Sequence, residues 1–233
     1  MRHKGNAMTS TSRLGAEIKS ERSTSDAVYE TLKNAIIRKR LSPGERLVEA
    51  KIAKEMKVSI TPLRHAFTRL AKEGLITVFP FKGTYVVQIT QELIEEILVA
   101  RMVIERKAAD ISFEFIDDDD VGRMEEYINL CERAYEASGD IFQVITNDVL
   151  FHQYIFEKCG NSVLCEMWNI IKSRIMLLQS YSKDSSFSYR RTRERHAPIL
   201  DALRRRDRES FLKSIEDHIT FAYRKGEYQI HSG

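Results

Sequence analysis

Leu47–Gln88 reads LVEAKIAKEMKVSITPLRHAFTRLAKEGLITVFPFKGTYVVQ, and its periodicity decides the fold of the front of the chain. Ile52, Ala53 and Met56 recur as one face of a short helix. Leu63, Ala66, Phe67 and Leu70 do so for a second helix, with a break at residues 57–59 between them. Ser59 or Thr61 can cap the second helix, Pro62 sits where a first-turn proline is tolerated, and Gly74 ends it. Residues 75–79 and 84–88 then alternate as two small strands around a turn at residues 80–83 that carries Lys82. The pattern predicts a helix-turn-helix flanked by a wing.

In such a unit the N-terminal end of the second helix enters the major groove of DNA, which places Ser59, Ile60, Thr61, Arg64 and His65 toward the bases. Arg64 is the strongest base reader among them, because its fork can bond O6 and N7 of guanine together, whereas Ser59 and Thr61 suit phosphates or single edge contacts. The bland alternative is a helical hairpin with solvated cations. Charge argues against it: residues 1–90 hold 17 Lys and Arg against 8 Asp and Glu, net +9, and the remaining 20 against 26 leave residues 91–233 at −6. Positive charge beside the helix pair is what phosphate neutralisation requires.

The segment PGERLVEAKIAKEMKVSITPLRHAFTRLAKEGLITVFPFKGTYV resembles the winged helix of the GntR family of bacterial transcription regulators, whose pattern runs approximately PGxxLxE, LAxxLxVSRTPVREAL and LxxEGL with a glycine in the wing. Ile60 stands where that family usually has arginine and His65 where it usually has glutamate, so the operator sequence does not carry over. The expected DNA-contacting set is Arg46, Ser59, Thr61, Arg64, Lys82 and Gly83.

Working outward, Val28, Leu32, Ala35 and Ile36 make an amphipathic helix over residues 25–39, ahead of a Ser42-Pro43-Gly44 turn. Residues 1–23 are expected to be a flexible basic arm, 24–89 the winged helix-turn-helix domain and 90–230 a second, helical domain. Cys131, Cys159 and Cys165 are an odd number at no metal-ligand spacing, which fits reduced thiols and a cytoplasmic protein. No segment reaches the ~20 apolar residues of a membrane span, and the first 22 residues lack the apolar middle of a signal peptide.

Beyond Thr90 every long segment has helical period, at about 91–115, 118–138, 140–159, 161–182, 188–206 and 208–229. The fold class is therefore mainly α, a winged helix followed by an all-helical bundle of six to seven helices. Polar residues interrupt its apolar faces. His152 follows Ile145 and Val149 and precedes Phe156 and Cys159, with Asp148 one turn earlier; His196 aligns with Ile199, Leu200 and Leu203; His218 sits in a seam of Phe211, Ile215 and Ala222. A single such histidine is usually a hydrogen-bonded core residue. Three of them with an Asp at i and His at i+4 suit a metal site, which bundle interiors build from facing helices. Arg101 lies on an apolar face too, where its guanidinium needs an anion: Glu105 one turn on, or a bound carboxylate ligand. The acidic run 117–120 lacks calcium-loop spacing and reads as a helix start, and the arginines of SYRRTRERH and LRRRDR as a solvated face.

RMVIERKAAD, NDVLFHQYIFEKCGN, ERHAPILDALRRRD and EDHITFA resemble, in order and spacing, the FCD ligand-binding domain of FadR-type GntR regulators. That resemblance implies that Asp148, His152, His196 and His218 hold a divalent metal, zinc or nickel first among candidates, and that Arg101 helps grip a carboxylate effector. The expectation is a homodimeric regulator, a repressor by preference, that binds a near-palindromic DNA operator and answers to a small organic acid. The rival reading is a metalloenzyme in which the Asp/His site activates water and the front domain is an adaptor.

Overall fold

The computed structural model describes residues 24–182 and 191–224. The expected arm at 1–23, the start of the fifth bundle helix at 188–190, its preceding break and the stretch 225–230 lie outside the described residues, as does the side chain of Ala222. The chain divides into two compact units, one running to Ala71 with Ile76–Val86, the other comprising Lys72–Leu75 and everything from Val87 on.

In the first unit, helix α1 (Thr24–Ile37) buries Val28, Tyr29, Leu32, Ala35 and Ile36. Strand β1 is Arg46–Leu47, α2 is Glu49–Met56, α3 is Ile60–Lys72, β2 is Ile76–Phe79 and β3 is Gly83–Val86. The expected apolar sets, Ile52, Ala53 and Met56 of α2 and Leu63, Ala66, Phe67 and Leu70 of α3, are buried. Leu63 and Leu70 are fully so, and at ~1.5–3 kcal/mol per buried side chain they hold the helix pair together. The turn between the helices is tight because Lys57 takes a left-handed φ of 54° and returns its N–H to the carbonyls of Ala53 and Lys54. Gly74, at φ 69°, turns the chain from α3 toward β2.

The wing differs from expectation in one respect. The antiparallel sheet has three strands, ordered β1-β3-β2, with Arg46 opposite Tyr85 and Phe79 opposite Gly83. β1 is two residues long, too short to show an alternation, so only pairing with β3 reveals it. The wing strands run 76–79 and 83–86 rather than 75–79 and 84–88, the first starting one residue later and the second starting one residue earlier and ending two earlier.

The second unit contains α4 (Gln91–Ser112), α5 (Asp118–Ser138), α6 (Ile141–Cys159), α7 (Ser162–Ser180), α8 (Thr192–Arg204) and α9 (Arg208–Arg224), with no strand among its described residues. Short polar side chains set the starts. Thr90 accepts from the Leu93 N–H, Asp140 from Phe142 and Gln143, and Asn161 from Leu164. Asp117 and Asp120 form a reciprocal capping box, so the acidic run is a helix start as expected. α4 ends at Ser112, three residues before the sequence pattern does, because Phe113 and Ile116 stay buried in the turn that follows and continue the apolar rhythm. α6 lies at the middle, packed against α4, α5 and α7, while α8 and α9 pack on each other and on α5 and α4 respectively. Cys131 and Cys159 are buried, Cys165 is half-buried, and all three are free thiols. No described helix is long and apolar enough to cross a membrane.

Candidate DNA interface and metal site

The first unit presents the expected DNA-facing residues on two exposed surfaces. Ser59, Thr61, Arg64 and His65 are exposed around the first turns of α3, while Ile60 is half-buried. Arg64, 69% exposed, donates from Nε to Glu49 Oε2 at 2.9 Å. An exposed pair of this kind contributes ~0–1 kcal/mol, so a guanine edge competes with it easily. On the wing, Arg46 is exposed on β1 and its guanidinium lies over Gly83: a Cβ there would stand 3.1 Å from Arg46 Nε, and the backbone takes φ 117°. Glycine at 83 lets Arg46 extend across the wing. The exposed Lys82 closes the turn with its N–H on the Phe79 carbonyl at 3.1 Å, and its own carbonyl accepts from the Tyr85 hydroxyl at 3.1 Å.

Helix and wing residues should therefore fail differently. Arg64→Ala is expected to weaken selected duplexes by ~1–3 kcal/mol with loss of sequence preference, and Lys82→Ala to weaken all sequences alike and lower the salt slope by ~1. Titrations on selected and random duplex at several salt concentrations check this; equal losses on both for Arg64→Ala would make it a phosphate contact only.

In the second unit, ligand atoms of Asp148, His152, His196 and His218, all buried, lie within 4.8 Å of one another. α6 supplies Asp148 and His152 one turn apart, α8 supplies His196 and α9 supplies His218. Each imidazole is held from behind. His196 Nδ1 is 2.8 Å from the Thr192 carbonyl and His218 Nδ1 3.4 Å from that of Arg195. His152 Nδ1 lies 2.6 Å from Glu105 Oε2, close enough for the carboxylate charge to act although off the line of the ring N–H. These acceptors assign the proton of each ring to Nδ1, which turns three Nε2 lone pairs toward a common centre.

His152 Nε2 and His218 Nε2 face each other at 3.1 Å, and His196 Nε2 is 3.2 Å from Asp148 Oδ1 without a hydrogen bond. Lone pairs so opposed have no proton between them. A cation that accepts both removes the conflict, and ligand atoms ~2.0–2.2 Å from a metal stand about this far apart. The donor set of three imidazoles and one carboxylate thus fits a divalent transition metal.

Electrostatics agree with that chemistry. Burial alone would raise the Asp148 carboxyl, but the adjacent His196, with His152 and His218 beside it, outweighs burial and holds Asp148 well below the usual carboxylate range. Burial depresses His218 strongly, with His196 and His152 adding to it, and burial also lowers His196. In the metal-free chain these histidines stay neutral where the unfolded chain, at about 6.5, takes up protons. Stability therefore falls as pH is lowered through that value, and metal release runs the same way because ligands must be deprotonated. Unfolding midpoints of the metal-stripped protein between pH 8 and 5 should show the decline; a midpoint that rises on acidification would contradict it.

Arg101, on α4, is buried against Glu105 in an ion pair through Nε and Oε1, and its Nη2 lies 3.1 Å from His152 Nε2, where its N–H competes with a cation for that lone pair. Of the two anions considered for it, Glu105 is the one the fold supplies. Glu105 also backs His152, so one carboxylate links the arginine to the cluster; burial works to raise it, but Arg101 and His152 together hold it low.

Two neighbours escaped the sequence reading. Gln179 of α7 donates to Asp148 Oδ2 at 2.6 Å, fixing the carboxylate. Arg195, beside His196 on α8, lines a cavity of about 280 Å³ with Arg191, Glu194, Asp217, Phe221 and His218, two arginines against two carboxylates, its guanidinium 5.0 Å from the Phe221 ring centre. Neither sits at a position that periodicity marks, since one lies among apolar core residues and the other in a run of surface arginines.

The comparisons agree with this division. The model for gntR-family bacterial regulatory proteins matches residues 24–86, and the FCD domain model matches residues 96–221, more than half of the chain. Among relatives, the chain is 28% identical over 184 residues to the HTH-type transcriptional regulator McbR of Escherichia coli K12, covering 78% of this chain and 83% of that one. It is 28% identical over 207 residues to the gluconate operon transcriptional repressor of Bacillus licheniformis, covering 85% and 83%. The solved structure of E. coli McbR/YncC shares the fold with a TM-score of 0.74 at 24% identity, over 89% of this chain and all of that one. These are regulators rather than enzymes, and the metalloenzyme reading finds no support among them. The chain belongs to the GntR family of bacterial transcriptional regulators, with an FCD domain as its second unit.

Proposed function

We propose that this regulator senses a small carboxylate through a divalent metal held by Asp148, His152, His196 and His218, zinc or nickel first, and that the acid alters its hold on operator DNA. The observation that carries this reading is the convergence of three imidazoles, two anchored through Nδ1 and the third backed by Glu105, and a carboxylate in a buried centre. When bound, the metal supplies a Lewis-acid position for a carboxylate oxygen. The chain's own residues do the rest. Gln179 and Glu105 orient the ligands, and Arg101 puts a fixed positive charge beside His152.

The protein is proposed to act in the cytoplasm as a homodimer on a near-palindromic site, because a two-fold pair presents two identical recognition helices. An apolar groove between α4 and α9, lined by Leu98, Val99, Met102, Val103 and Ile219, is the surface we assign to the partner copy. Val99 and Val103 are about two-thirds exposed there, an unusual place for large apolar side chains unless covered. A monomeric mass in solution, or a footprint of a single half-site, would contradict the dimer.

The test of sensing is metal analysis of the purified protein followed by thermal-shift screening of organic acids with metal-replete and chelated samples. Stoichiometric metal and an acid-induced shift only in the replete sample are expected. Acid binding that persists after chelation would place the effector on the arginines alone.

A further inference from the structure

The wing ends in aromatic side chains that the fold does not use. Phe81 is fully exposed at 109% relative area, and Phe79 and Val78 are about half exposed, at 47% and 56%. Phe79 leans edge-on against Tyr85 with centroids 5.8 Å apart. Phe81 follows Pro80 at the third position of the turn closed by Lys82 N–H and the Phe79 carbonyl. Its φ is 63°, in the left-handed region that glycine or asparagine adopts readily and an aromatic residue rarely does. Neither the strain nor the exposed ring helps the hairpin to fold.

The surroundings indicate what such a ring meets. Lys82 is exposed next to it, and Arg46 crosses the wing at Gly83, so two cations stand beside the apolar tip. The front 90 residues carry a net +9, and the same compact unit holds the recognition surface of α3. A narrow cleft with sugar-lined walls bordered by phosphates on both sides complements this arrangement, and that is the minor groove of duplex DNA. A protein partner would need ~800 Å² of surface on this side, far more than one turn of three residues offers.

We propose that Phe81 enters the minor groove as an apolar wedge beside the major-groove site of α3, with Arg46 and Lys82 on the flanking phosphate backbones. The wedge opens a base step and bends the duplex, so the wing selects easily deformed pyrimidine–purine steps without hydrogen-bonding to a base. The inference rests on the DNA-binding role of the first unit and adds to it a residue that sets specificity by shape.

Phe81→Gly in the full-length chain tests it, because glycine adopts φ 63° freely and the fold is relieved rather than damaged. The probes are duplexes enriched from a random pool by the unaltered protein. The variant is expected to bind them about tenfold more weakly, as for loss of one aromatic–base contact. Its salt slope should be unchanged, since no phosphate contact is lost. The bend measured with phased duplexes should shrink, and the pool it enriches should lose its pyrimidine–purine preference at the wing position. Affinity within about twofold of the unaltered protein with the same bend overturns the wedge while leaving the DNA-binding role intact. Failure of the unaltered protein to enrich any duplex overturns both.

Discussion

His218→Ala is expected to leave the purified protein without stoichiometric divalent metal, lowering metal affinity by about 100-fold or more, while the helical unit stays folded. The magnitude follows from position. Loss of a residue that only supports a ligand commonly costs ~10–100-fold, and His218 is itself one of four converging donors. Its Nε2 faces that of His152 at 3.1 Å, so its removal also takes away the opposed lone pair that makes the centre demand a cation. The metal-free variant should lose only ~1–3 kcal/mol of stability, a cavity's worth, because a neutral buried imidazole leaves space rather than an unpaired charge. Metal analysis after purification, and again after chelation and refilling, reads the result. Full retention of metal by the variant would show that His218 is a core histidine and reduce the site to three ligands.

Glu105→Ala should destabilise the second unit as strongly as the loss of a large core side chain. It strips the counter-charge from Arg101, which is 4% exposed, and the acceptor from behind His152. Breaking a buried pair from one side costs ~3–5 kcal/mol, since the remaining charge loses its carboxylate while still held out of water. At ~2–4 °C per kcal/mol for a chain of this size, the unfolding transition should drop by roughly 10 °C. Replacing both Arg101 and Glu105 with methionine should recover much of that stability, because a well-packed apolar pair is close to neutral against a buried ion pair. Yet the double variant should no longer respond to a carboxylate. Arg101→Ala alone leaves the Glu105 carboxylate buried without its guanidinium, so it too should lose stability, but it keeps all four metal donors and is expected to retain metal while losing the acid response. A stability loss below ~1 kcal/mol for Glu105→Ala would mean that water reaches the pair.

What the sequence by itself determined is everything that depends on neighbours along the chain. The 3.6-residue rhythm of Leu63, Ala66, Phe67 and Leu70, the caps at Asp117 and Asn161, and the turn glycine at 74 are local, and local geometry reproduces them with errors of a few residues at the ends. The same rhythm singled out Asp148, His152, His196 and His218 as polar groups on buried faces. What only the tertiary structure decided is what those groups touch. His196 stands 44 residues from His152 and 22 from His218, and nothing along the chain brings three lone pairs to one centre; α5, packed on both α6 and α8, and α4, packed on both α6 and α9, do so. For the same reason Gln179 and Arg195 were invisible, Glu105 emerged as partner to His152 as well as to Arg101, and two-residue β1 appeared only through its pairing with β3. Phe81 is the clearest case: its residue type suggests a core, but closing a three-residue turn between paired strands drives its backbone to positive φ and its ring into solvent.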